Sequence, residues 1–268
     1  MTRPMLRAIG SGRVNAAAVR RALRAQADHR RAVGAARYFK TGPGEYGQGD
    51  CFLGVTVPAQ RRIARQFHDL SLADVDALLT SPIHEERSTA LLILVDRFTR
   101  PTADQRLRNR IFRLYMNRLG FINNWDLVDA SAAAIVGGWR HGGGNRPTAR
   151  RPANGDVLDR LARSKNIWSR RIAMIATLHT IVRGDHRDAI RIATRLVQDE
   201  HDLIQKAVGW MLREVGKRAS PDALRLFLKH HAATMPRTAL RYAIERLPRA
   251  ERMRWMQARK AAAAKSAL

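Results

Sequence analysis

Trp125 and Asp129 stand four residues apart in Asn123-Asn124-Trp125-Asp126-Leu127-Val128-Asp129. On a helix that spacing puts an indole and a carboxylate on one face. A carboxylate beside an aromatic ring can stabilise a small cation, and in a chain rich in arginine a polyanion can be held against the same spot. The chemistry this suggests is a reaction on nucleic acid. A second set has a similar character: Lys206 precedes Trp210 by four residues and Arg213 follows it by three, giving one basic and aromatic helix face suited to a phosphate backbone. Trp168 and Arg171, three apart, offer an indole beside a guanidinium fork.

Each of these residues also has a plainer reading. Asp129 alone is a solvated helical acid or the partner of an arginine. Asp126 is a first-turn acid complementing the helix dipole, with Asn123 or Asn124 as cap. Trp139, Trp168 and Trp255 read as packing residues, and so does a partly buried Cys51.

The elements that must position these side chains are helices. Apolar residues recur at helical spacing from Val14 to Ala264, as in Ala90-Leu91-Leu94-Val95-Phe98, and no alternating strand pattern stands out. Expected helices include Val14 to Tyr38, Asp126 to Gly137, Ile167 to Arg183, Leu203 to Arg218 and Ala250 to Ala264. Ala173, Ala207 and Ala243 sit in similar basic-then-apolar openings at a period of a two-helix repeat. The fold class expected is all-α, a superhelical stack of antiparallel helix pairs with a concave binding face; a compact bundle is the alternative.

Composition narrows the partner. Lys and Arg number 49 against 23 Asp and Glu, a formal net charge of +26, so an acidic partner is expected, nucleic acid before acidic protein or membrane surface. Only seven of the 49 are lysine, which a coding bias toward arginine would explain, but such a bias does not explain the excess over acids. The single cysteine and the lack of a ligand-spaced histidine set argue against a disulfide or metal framework. The longest apolar stretch, Ala90 to Val95, is too short to cross a bilayer, and the expectation is a soluble cytoplasmic monomer without a cofactor or membrane partner.

Two stretches interrupt the helices. Thr41 to Asp50 is glycine-rich and reads as a structured loop; it lacks the Gly-Lys-Ser/Thr ending of a phosphate-binding loop. His141 to Gly155, with Arg146, Arg150 and Arg151, reads as a flexible basic loop.

Taken in order, Tyr38-Phe39-Lys40, Phe52-Leu53-Gly54-Val55 with Val57-Pro58, Asn124 to Asp129, Asn166-Ile167-Trp168-Ser169-Arg170-Arg171 and Gln205 to Glu214 resemble the AlkD family of DNA alkylation repair glycosylases. The resemblance covers roughly 35–247, as one HEAT-like repeat domain between an N-terminal helical segment (1–34) and a C-terminal helix and tail (248–268). It implies helix pairs wrapping duplex DNA and hydrolysis of the N-glycosidic bond of cationic N3- or N7-alkylpurines, the first step of base excision repair. The family's catalytic carboxylate falls on Asp129, its lesion-flanking tryptophans on Trp125 and Trp210, its active-site arginine on Arg171 and its N-terminal aromatic on Tyr38. The stretch His141 to Arg151 departs from the family pattern as a local extension. The rival readings are a non-catalytic helical-repeat module that binds DNA or RNA and, more remotely, a protein scaffold.

Overall fold

Apolar stripes at three- and four-residue spacing fold as helices, and no strand occurs among the described residues, 14–144 and 155–266 of this computed structural model. An isolated parallel bridge pairs Cys51 with Ile83. The all-α expectation therefore holds. The helices divide into two compact units, the first ending at Arg100 and the second beginning at Pro101.

The first unit contains α1 (Ala16–Arg24), α2 (His29–Tyr38), α3 (Val57–Gln66), α4 (Leu72–Leu79) and α5 (His84–Thr99). The single helix expected over Val14 to Tyr38 is two, because Asp28 leaves the helical path and its carboxylate accepts the Arg31 N–H at 2.9 Å as the cap of α2. Helix α1 packs on α3, α4 and α5. At the start of α5 the buried Glu85 carboxylate accepts the backbone N–H groups of Leu53, Gly54 and Val55 at 2.9, 2.7 and 3.2 Å. This gathers the strand-like connection onto the helix. Gly54 has φ +76°, and a Cβ there would stand 2.2 Å from the Asp28 carbonyl oxygen, so only glycine fits.

Aromatic stacking then fixes the end of α2. Phe39 stacks on Phe52 (5.3 Å between centroids), Phe52 on His84 (4.7 Å), and His84 and Arg87 both bind the Asp50 carboxylate, at 3.0 and 2.5 Å. The glycine-rich segment between Thr41 and Asp50 is accordingly a structured loop. Cys51 is exposed rather than partly buried: its backbone bonds to Pro82 and His84 and leaves its side chain outward.

The second unit contains α6 (Gln105–Asn117), α7 (Trp125–Ala132), α8 (Val157–Ala162), α9 (Ile167–Ala176), α10 (Leu178–Ile181), α11 (Arg187–Leu196), α12 (Asp202–Arg218), α13 (Pro221–His231), α14 (Arg237–Ala243) and α15 (Arg249–Ser266). Helices α7, α9, α12 and α14 pack consecutively in a row, while α8 pairs with α9, α11 with α12 and α13 with α12. Ala173, Ala207 and Ala243, the residues that carry the sequence period, lie buried in α9, α12 and α14. The period is thus the spacing of one row of a stack of helix pairs.

Two glycines let this row close up. A Cβ at Gly137 would meet the Ala176 carbonyl oxygen at 2.3 Å, and one at Gly209 would meet that of Ala239 at 2.4 Å and the Tyr242 Cβ at 2.5 Å. The expected helix Ile167 to Arg183 is interrupted at Thr177, whose hydroxyl bonds back to the Met174 carbonyl at 2.7 Å. Helix α7 runs past its expected end at Gly137 through π-helical turns over Ala133–Gly137 and Arg140–Gly144. Trp139 stacked on Phe112 (3.6 Å) and Arg140 paired with Asp156 and Asp188 hold that extension. Residues 145–154, which include Arg146, Arg150 and Arg151 of the expected basic loop, lie outside the described residues, as do 1–13 and 267–268.

The contrast between two helical glycines is testable. Gly209→Ala drives a methyl into backbone and is expected to cost about 1–3 kcal/mol. Gly34→Ala in α2 meets nothing within 4 Å and is expected to stabilise by up to about 1 kcal/mol. Calorimetric melting of both variants checks this; equal Tm shifts would contradict the close approach at Gly209.

Candidate active site

Helix α7 begins where the buried Asn124 leaves the helical path and its Oδ1 accepts the Trp125 N–H at 2.8 Å, which selects Asn124 as the cap. Asp126 occupies the first turn, where a carboxylate complements the positive end of the helix. Leu127, Val128, Ser131 and Ala132 face the core. Trp125 and Asp129, one turn apart, therefore share the other side, and both are half-buried. Behind them Ser131 donates to the Leu127 carbonyl at 2.6 Å and meets the hydroxyl of the fully buried Tyr115 at 3.0 Å.

Helix α9 supplies the partner of Asp129. Asn166 caps it by accepting the N–H groups of Trp168 and Ser169 at 2.8 and 3.2 Å. From its second turn Arg171 reaches across to α7, its Nε donating to Asp129 Oδ1 at 2.9 Å and its Nη2 to Oδ2 at 2.7 Å. The third nitrogen, Nη1, donates to the Leu203 carbonyl of α12. One guanidinium thus ties three helices together. The Arg171 side chain is 6% exposed and that of Asp129 18%, so the pair is largely withdrawn from water, with the Asp129 side chain the more accessible of the two.

Burial raises the proton affinity of Asp129 above the usual carboxylate range; the Arg171 charge and hydrogen bonds oppose this without cancelling it, and the Asp126 charge adds to it. Burial likewise pushes the Tyr115 hydroxyl well above an ordinary phenol, against the Ser131 hydrogen bond and with the charge of Asp129 assisting. The adjacent Arg170 points elsewhere, to Asp199 at 2.6 Å and to the carbonyls of Ser164 and Lys165.

The pairing of Trp168 with Arg171 as an indole beside a phosphate fork does not form. Trp168 is buried packing, and Arg171 is committed to Asp129 and Leu203. On α12, Leu203, Lys206, Trp210 and Arg213 recur at spacings of three, four and three, hence along one face. Trp210 is half-buried there. Lys206 pairs with Asp202 at 2.6 Å, and Arg213 with Glu245, just past the end of α14, and with Glu214, so the two cations of this face carry carboxylate partners that their spacing to Trp210 alone does not reveal. Tyr38 belongs to the first unit, where it is 65% exposed and set edge-on to Phe39 at 5.1 Å. No cluster of His, Cys, Asp and Glu suited to a metal ion occurs among the described residues.

Residues 19–247 match the family model described as DNA alkylation repair enzyme. The chain belongs to this family. Membership gives this DNA alkylation repair family member a role in repair of alkylated DNA, with DNA as its partner, and the match takes in most of α1 as well as the stretch the motifs covered. Among solved structures, one described as a predicted DNA alkylation repair enzyme from Enterococcus faecalis is 18% identical, with a TM-score of 0.64 over 84% of this chain and 98% of that one, which speaks for the fold alone. The structure of smu.31 from Streptococcus mutans is also 18% identical, over 85% of this chain and 95% of that one, at a TM-score of 0.47. No curated protein matches in sequence. No helix among the described residues is long and apolar enough to cross a membrane.

Sequence reasoning overlooked three supports of this site. Tyr115 sits in the apolar stripe Ile111-Phe112-Tyr115 and reads there as ordinary core. Gly209 stands beside Trp210, yet the close approach that demands glycine depends on α14. The carbonyl of Leu203 carries no side-chain signal. Arg171→Met would leave the Asp129 carboxylate without its counter-charge, at an expected cost of about 3 kcal/mol or more. Arg171→Lys, which cannot bind both oxygens and the Leu203 carbonyl together, should fall between wild type and Arg171→Met. Urea unfolding of the three proteins measures this; an Arg171→Met variant as stable as wild type would contradict it.

Proposed function

We propose that this family member is a monofunctional DNA glycosylase that excises cationic N3- and N7-alkylpurines from duplex DNA as a monomer without a cofactor. The observation that carries the proposal is the Asp129 carboxylate: bound on both oxygens by Arg171, partly open, and one helical turn from Trp125. An N-alkylated purine already bears positive charge, so it leaves without prior protonation. The bond between the sugar C1′ and the purine nitrogen breaks with its electron pair going to the purine, whose charge is neutralised. The positive charge passes to C1′ and the ring oxygen, where a fixed carboxylate in a poorly hydrated site is worth most. Water then adds to C1′ and gives up a proton, leaving free base and an abasic site, and Asp129 is placed in the proposal to orient that water by analogy with glycoside hydrolysis.

The remaining residues take supporting parts in the same reading. Trp125 and Trp210 present ring faces to the cationic nucleotide, each contributing about 0.5–2 kcal/mol. Arg171 aligns Asp129 and favours its ionised form. Tyr38, Lys206 and Arg213 contact lesion or backbone, the last two by exchanging a carboxylate for a phosphate. HEAT-like wrapping of the duplex and a cytoplasmic setting belong to the same proposal.

Wild type and Asp129→Asn, incubated with duplex carrying one N7-methylguanine, are expected to differ at least tenfold in the rate of base release while binding DNA alike. No release of this lesion or of N3-methyladenine by wild type, with tight binding retained, would instead indicate a non-catalytic DNA-binding member.

The pH profile provides an independent check. A carboxylate whose affinity for protons is raised loses its negative charge while pH is still above the usual carboxylate range, so single-turnover excision should fall on the acid side earlier than an unperturbed aspartate would dictate. Because Arg171 lowers that affinity, removing its charge in Arg171→Gln should move the acid limb to still higher pH. An acid limb unmoved by this substitution would argue against Asp129 as the titrating group.

A further inference from the structure

Beyond residue 247, where the family match ends, α15 adds a helix that the repair reading does not use. Its first turns are anchored. Arg225 of α13 binds Glu251 at 3.0 Å, and the Trp255 Nε1 lies 3.4 Å from the same carboxylate. Arg237 of α14 donates to the Met256 carbonyl at 2.7 Å. These contacts hold α15 to α13 and α14, and a cleft of about 370 Å³ lies along α14 and α15, lined by Arg241 of α14, by Arg249, Arg252, Met253 and Met256 of α15, and by Glu245.

The charges in this cleft are unbalanced. Glu245 is engaged by Arg213, and the Glu251 carboxylate is taken by Arg225 with Arg254 nearby at 3.9 Å. No carboxylate pairs with Arg241, Arg249 or Arg252 among the described residues, and all three are exposed. Arg249 and Arg252 also occupy the first turn of α15, the positive end of the helix, where cations are disfavoured. Three arginines and the positive end of a helix therefore line one cleft together with Met253 and Met256. A bound anion relieves that arrangement, and forked guanidinium donors suit phosphate oxygens. Arg241 has a further relation to the candidate active site: it stands two before the buried Ala243 of α14, as Arg171 stands two before Ala173 of α9. The same position in the row thus turns inward to a carboxylate in one repeat and outward to solvent two repeats later.

We propose that the cleft between α14 and α15 is a phosphodiester-binding site that grips the DNA backbone away from the lesion. The proposal rests on DNA being the partner and not on the glycosylase chemistry. It makes α15 a sequence-independent clamp added to the family's domain. The methionine stems accommodate the sugar edge, and the arginines neutralise the phosphates.

The test is the salt dependence of binding to an undamaged duplex by the full chain, comparing wild type with Arg241→Gln/Arg249→Gln/Arg252→Gln. Arg254→Gln, whose charge on the same helix lies by Glu251, serves as control. Each phosphate contact contributes roughly 0.9 to the slope of log affinity against log salt, so the triple variant should lose about two to three in slope and bind at least tenfold more weakly near 0.1 M salt. The control should change the slope by less than about one, and the far-ultraviolet dichroism of all three proteins should coincide. A triple variant that keeps the wild-type slope overturns the site even if wild type excises alkylpurines. A lost slope in a protein that excises nothing supports the site while the glycosylase reading fails. Wild type that ignores the duplex but binds vesicles of anionic lipid through these arginines overturns the phosphodiester assignment in favour of a membrane surface.

Discussion

The guanidinium of Arg171 is bound on three sides, by the two oxygens of Asp129 and by the carbonyl of Leu203, and through it α7, α9 and α12 share one polar junction. A buried ion pair of this kind rarely adds to stability in comparison with well-packed apolar residues, but losing one member leaves a charge without compensation. Its value is geometric. It holds a partly exposed aspartate side chain at a fixed angle and depth, in surroundings that raise its proton affinity. What sets the spacing of α7 and α9, including Gly137 against the Ala176 carbonyl and the Thr177 break, acts on that junction.

Net charge and local charge behave differently in this protein. With 23 acids against 49 basic residues, pairing cannot remove the excess; it only determines which cations remain available. The buried and half-buried acids Asp50, Asp129, Asp156, Asp159 and Asp199 hold Arg87, Arg171, Arg140, Arg191 and Arg170, each pair tying together parts of the chain distant in sequence. The arginines left over, such as Arg241, Arg249 and Arg252, are the ones that give the protein an outward positive field. Arginine thus serves two purposes here, and the side chain alone does not tell them apart.

The first unit shows the same economy with different chemistry. Glu85 collects three backbone N–H groups of an irregular segment that no helix or sheet satisfies, and the Phe39, Phe52 and His84 stack carries rigidity from Asp50 to the end of α2. Tyr38 follows from that arrangement: an exposed ring on a fixed mount, at the close of a helix whose next residue is locked into the stack.

The sequence by itself determined the all-α class, the row of helices marked by Ala173, Ala207 and Ala243, an asparagine cap at Asn123 or Asn124 and the shared face of Trp125 and Asp129, because all of these depend on contacts within a few residues or on a regular period. The family motifs, read in order, pointed to the repair family. Only the tertiary structure decided that Arg171 turns inward to Asp129 while Arg170 turns to Asp199, that Lys206 and Arg213 carry carboxylate partners, that Val14 to Tyr38 is two helices, and that Cys51 lies outside. The physical reason is common to most of them. Helical periodicity assigns a residue to a face, whereas the partner of a long charged side chain is set by which helix packs against that face, and that partner lies 29 to 42 residues away for Arg170, Arg213 and Arg171.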